Sequence, residues 1–143
     1  MRRMCLAVSG VALGLALMTP TTAVRAEQAQ DVAVLDKTMK AVGPAFGAAR
    51  KAIGGGIMAE AKTSAEALSK AFVETEAFFK SHSKADGAEW AQAAKRASDA
   101  IASAADAEAA SAAAAELGKT CATCHAKYRD KAADGTYMFK PGN

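Results

Sequence analysis

At 143 residues the chain is long enough for one compact domain and short for two. Its formal charge is +3, and Arg2, Arg3 and Arg25 account for that excess, so the chain beyond residue 26 is near neutral. Without a basic stripe, and with 6% aromatic residues, it offers nothing that points to a nucleic-acid partner.

The first 26 residues read as an export segment rather than as part of that domain. Arg2 and Arg3 make a basic start, Cys5 to Met18 is an uncharged and mostly apolar run, and small residues follow Pro20. This is the layout of a secretory signal, with cleavage expected after Ala26, or after Ala23 as the lesser choice. The apolar run is short of the roughly 18–20 residues that span a bilayer, so an uncleaved anchor is the weaker reading and no span is expected after cleavage. The paired arginines fit a plain basic start better than a twin-arginine signal. The expected location is the periplasm, reached by an unfolded chain. Cys5 leaves with the signal, which makes Cys121 and Cys124 the only cysteines of the mature protein. Two cysteines three apart do not build a disulfide scaffold.

From Asp31 to Lys131 the composition favours helix, with few β-branched residues and no alternating pattern. A first helix is expected from about Asp31 to the glycines of "IGGG". Its apolar positions, Val32, Leu35, Met39, Val42, Phe46, Ala49 and Ile53, recur at three- and four-residue steps and form one seam. Pro44 lies inside it, removes a backbone donor and predicts a kink one turn beyond Met39, at a cost of about 3 kcal/mol in a regular interior. A second helix is expected from near Thr63, where Thr63 and Glu66 have capping-box spacing, to about Ser81. Asp86 and Glu89 repeat that spacing before a third helix that buries Trp90 and Ile101. The fourth starts after Asp106, inside the stretch Ala100 to Ala115 in which eleven of sixteen residues are alanine, and continues through Leu117 to Tyr128. Four such helices with short connections predict an all-α, antiparallel four-helix bundle over residues 27–133. Residues 134–143 form a tail with a turn signal and a short apolar run, expected to lie against the bundle.

The last helix carries "GKTCATCHAKYRD", Gly118 to Asp130. Structural zinc needs four Cys or His ligands, whereas the chain offers Cys121, Cys124, the adjacent His125 and a distant His82. A thioredoxin-like dithiol sits at the start of a helix that follows a strand, and this motif sits in the second half of a helix. The remaining reading is covalent haem attachment, for which C-x-x-C-H is the signature. Each thiol adds to one vinyl group, and the histidine reaches the iron. At about 100° per residue, the three side chains share a helix face about 100° wide, flanked by Leu117 and Tyr128.

With that motif near the C-terminus of a helical bundle, the chain resembles a class II cytochrome c, the family of cytochrome c-prime and cytochrome c-556. The resemblance is carried by "GKTCATCHAKYRDK", by Trp90 in "AEW" on the third helix, and by "DKTMKAVGPAFGAARKAIGGG" in the first. It implies one covalent haem c with thioethers at Cys121 and Cys124, His125 as the proximal iron ligand, and Arg129 near the haem on the proximal side. It also places Met39 at the distal position, where low-spin relatives carry a ligating methionine and cytochromes c-prime a non-ligating residue. A methionine on an apolar seam is otherwise core filling. The resemblance further implies redox partner proteins and a homodimer through the first two helices.

Two functions follow. With His125 and Met39 both on the iron, the protein is an electron carrier and not an enzyme, because no acid, base or nucleophile constellation accompanies the motif. With Met39 only packing over a five-coordinate iron, it binds or scavenges small gases such as nitric oxide. A haem-bearing subunit or sensor is the third and weakest option. Lys119, Lys127 and Arg129 could attract an acidic partner, although a solvated helix face accounts for the lysines more simply.

Overall fold

Three short breaks divide the helical sequence into four rods, α1 (Thr21–Gly54), α2 (Met58–Ser81), α3 (Ala85–Ser103) and α4 (Ala107–Tyr128), which pack as an antiparallel bundle. The computed structural model describes residues 21–133 and 137–140. Most of the expected export segment, residues 1–20, lies outside the described residues, as do residues 134–136 and 141–143 of the tail. Among the described residues no helix is long and apolar enough to cross a membrane.

The first break is a Schellman turn. The Ile57 amide donates to the Ala52 carbonyl at 2.9 Å and the Gly56 amide to Ile53 at 3.1 Å, with Gly56 at φ +69°. Glycine enters that left-handed conformation without a Cβ penalty. The turn is so tight that α2 starts at Met58, five residues before the expected Thr63. Thr63 does not cap. Its hydroxyl donates to the Ala59 carbonyl at 3.1 Å inside the helix. The same turn type closes α2, with Ser83 at φ +56° and the Lys84 amide donating to Phe79 at 2.9 Å. Asp106 caps α4 as expected, its carboxylate accepting from the Ala109 amide at 2.8 Å. The first helix begins earlier than the expected Asp31, because nothing in residues 21–30 breaks it.

The predicted seam of α1 faces inward throughout. Val42, Ala49 and Ile53 are buried, while Val32, Leu35, Met39 and Phe46 pack against buried clusters. Pro44 stays within the continuous helix. Pro44, Gly43 and Lys40 are all exposed, so water can serve the Lys40 carbonyl that lacks its helical donor.

One half of the bundle is a dry core of Ala49, Ala61, Ala65, Leu68, Ile101, Ala110 and Leu117. The small side chains let α1, α2, α3 and α4 close on one another in sequence. Helices α1 and α4, by contrast, approach each other far less than the sequential pairs do. The other half is aromatic, built on Phe78, Phe79 and Tyr128 with Trp90 and Phe139 around them. Trp90 is only half-buried there, short of the full burial expected for it. Gly87 matters at this end, since a Cβ on it would lie 2.3 Å from the Phe79 ring. Its bare backbone lets α3 rest against that ring.

The tail turns back as a two-stranded antiparallel ribbon. β1 (Arg129–Lys131) pairs with β2 (Tyr137–Phe139) in the register Arg129 with Phe139, Asp130 with Met138 and Lys131 with Tyr137. The Lys140 amide then donates to the Tyr128 carbonyl at 2.8 Å.

Candidate functional site

Where α1 and α4 fail to close, the bundle holds a mostly apolar cavity of about 620 Å³. That volume falls within the usual range for small-molecule and cofactor sites, roughly 300–1,000 Å³. From α1 the lining includes Met39, Val42 and Phe46; from α2, Phe72, Thr75 and Phe79; from α3, Trp90. Helix α4 contributes Cys121, Cys124, His125 and Tyr128. Every predicted site residue is present, because Met39 and Arg129 line the same space.

Helical spacing explains how α4 does this. Cys121 and Cys124 are both half-buried and carry free thiols, and His125 follows on the same face. Burial pushes the Cys121 thiol up, and burial together with the neighbouring Cys121 and Asp86 pushes Cys124 up to about 11. A dithiol redox centre needs the opposite shift, toward thiolate. His125 is held below its ordinary value, chiefly by burial and then by the Arg129 charge, so its imidazole is neutral at pH 7 with a lone pair to offer. Among the described residues, no three His, Cys, Asp or Glu side chains converge as a metal-holding group.

Tyr128 joins the site to the bundle. Its hydroxyl donates to Asp86 Oδ1 at 2.5 Å, and its ring lies 4.7 Å from Phe79 and 6.1 Å from Trp90. Asp86 also accepts from Lys127 Nζ at 2.5 Å and from the Gly87 amide at 2.9 Å. Thus the start of α3 is tied to the end of α4, three residues past His125. Neither Asp86 nor the ring cluster of the tail was legible as a site residue. The spacing of Asp86 and Glu89 looked like a cap, whereas Lys84 occupies the cap position.

Hydrogen bonds from Lys127 and then Tyr128 hold the Asp86 carboxyl down to about 2, against a smaller opposing effect of burial. The folded-state value is below the unfolded one, about 3.9 for Asp. Its contribution to stability is therefore present above pH 4 and is lost as pH falls toward 2. Urea midpoints measured between pH 4 and pH 2 should fall less steeply in Asp86→Asn than in the parent protein. Parallel curves would show that the contact adds nothing.

The remaining candidates lie elsewhere. Met58 packs on the dry core. His82 sits at the C-terminal cap of α2, stacked on Phe78 at 4.2 Å, with Nδ1 2.8 Å from the Phe78 carbonyl. Lys119 pairs with Glu116 at 2.6 Å and Lys127 with Asp86, so both lysines already serve carboxylates of their own chain. Sequence reasoning expected the tail to lie against the bundle without saying where, and its Met138 and Phe139 line the cavity.

A scan against protein-family models, a search of curated proteins and a search of solved structures each found no match. The likeness to class II cytochromes c therefore rests on the motif residues and on a four-helix, all-α domain.

Proposed function

We propose that this is a periplasmic one-electron carrier of the class II cytochrome c type, holding one haem c through Cys121 and Cys124. His125 and Met39 are its axial iron ligands. The observation that carries the reading is that one apolar cavity is lined by the two thiols and neutral imidazole of α4 and, across from them in sequence, by the Met39 thioether of α1, with Met138 of the ribbon as a second thioether. That donor set fits a covalently attached, His/Met-ligated haem. When bound, the haem supplies a reversible ferric–ferrous couple.

The chain's own residues do the rest. Cys121 and Cys124 provide two attachment points on one rigid helix. The Phe46, Phe72, Phe79 and Trp90 rings give the cavity an apolar wall, and an apolar surround would favour the less charged state of a metal centre bound there. Arg129 lies at the end of α4 and its backbone amide donates to the His125 carbonyl, fixing the guanidinium's attachment point one turn beyond the imidazole. With His125 and Met39 both holding the iron, no position would remain for an exogenous gas, and the protein would act as an electron carrier.

The optical spectrum of the purified ferric protein tests this reading. A low-spin spectrum with the weak red band of iron–thioether ligation is expected. A high-spin spectrum that shifts readily with carbon monoxide on reduction would favour the five-coordinate, gas-binding alternative and overturn the carrier.

A further inference from the structure

The structure assigns the C-terminal ribbon a part in the cofactor site: Phe139 is a positioning residue that walls the cavity and sets the reduction potential of the centre inside it. This inference rests on the haem reading above.

Phe139 is held from three sides. Its ring stacks on Tyr128 at 5.6 Å and 14°, meets Phe78 edge-on at 5.7 Å and lies 6.3 Å from Phe79. Its backbone is paired opposite Arg129, the first residue after α4, and Lys140 closes the next bond onto Tyr128. An isolated two-stranded ribbon is marginal in water, so this aromatic packing is what keeps the ribbon in place. Tyr128 is itself fixed from behind by Asp86, so the ring beneath Phe139 has a defined position. Phe139 and Met138 both line the cavity beside Tyr128 and Arg129, on the stretch of chain that follows His125.

The consequence is electrostatic. Solvent exposure and the polarity around a haem are levers on its potential. Water entering beside Tyr128 would stabilise the more highly charged ferric state and lower the potential. An apolar ring at that position does the reverse. Met138, 48% exposed, is the outer edge of the same wall.

A graded series, Phe139→Leu, Phe139→Val and Phe139→Ala, tests this in the full-length exported protein. Covalent haem content, helical circular dichroism and midpoint potential are measured for each. Haem content and helicity should hold, because the residue lies outside all four helices, while the potential falls in the order of side-chain area removed. If the Ala variant does not accumulate, the Leu and Val variants still order the effect. A flat potential across holoproteins, even with a falling denaturation midpoint, overturns the inference and leaves Phe139 a packing residue. Absence of acid-stable haem from the parent protein would instead overturn the haem reading beneath it.

Discussion

Replacing Cys121 and Cys124 together by alanine should abolish acid-stable haem completely, so that acidified acetone extracts all haem and a haem stain finds none on a denaturing gel. The reason is chemical. A thioether survives denaturation, whereas axial ligation and apolar packing do not. Beyond the expected export segment, the sequence has no other thiol that could substitute. The two thiols share one face of a regular helix and line one cavity, so each single variant should retain haem through the remaining thioether. Its reduced pyridine adduct should then absorb between the positions of a bis-thioether haem and a free one. The double variant loses only two half-buried sulfur atoms, one of them, on Cys121, at the edge of the cluster of Ala49, Leu68, Ile101 and Leu117, so the apoprotein should remain helical. Covalent haem surviving in the double variant would refute the attachment chemistry at the centre of the proposal.

The four-helix architecture was readable because its signals are local. Seven apolar positions of α1 recur at helical steps, and all seven face the interior. Asp106 caps α4 by a bond that spans three residues. The boundaries that shifted did so where a tertiary or turn constraint outweighed propensity. A Schellman closure lets α2 begin at Met58, so Thr63 became an interior residue with its hydroxyl on its own helix. Asp86 had the spacing of a cap but serves partners 41 and 42 residues away, a relation that no window along the chain contains. The C-x-x-C-H motif was legible because its five residues are contiguous on one helix. Its surroundings were not. Phe139 enters the cavity wall only because β2 folds back onto β1, and the ribbon's six residues carry no strong strand pattern. Pro44, expected to kink α1 one turn beyond Met39, stays within a continuous helix, and Met39 lines the cavity.

Substituting Met39 separates iron ligation from packing, and two variants are needed to do so. Met39 is half-buried against the core cluster, so Met39→Ala should destabilise the fold by about 2 kcal/mol, at the low end of buried Met→Ala changes, whatever its role. Loss of stability alone therefore says nothing about the iron. Met39→Leu nearly conserves volume and should cost under about 1.5 kcal/mol, yet it removes the sulfur. Under the ligation reading, both variants should lose the weak red band, become high-spin and bind carbon monoxide when reduced. Both should also show a lower reduction potential, because a thioether ligand raises it. Under the packing reading, Met39→Leu should have the parent's spectrum, and Met39→Ala should lose more stability than Met39→Leu. A Met39→Leu protein that stays low-spin would remove Met39 from the iron. Attention would then move to Met138, the other thioether that the fold brings to this cavity, and Met39→Leu combined with Met138→Leu would test it. The two methionines reach the space by different routes, one on the helical seam of α1 and one on the returning ribbon. Only the first sits on a helix whose seam from Val32 to Ile53 packs on buried clusters, and axial ligation in a carrier requires a donor that moves little between oxidation states. That mechanical difference is the argument for Met39.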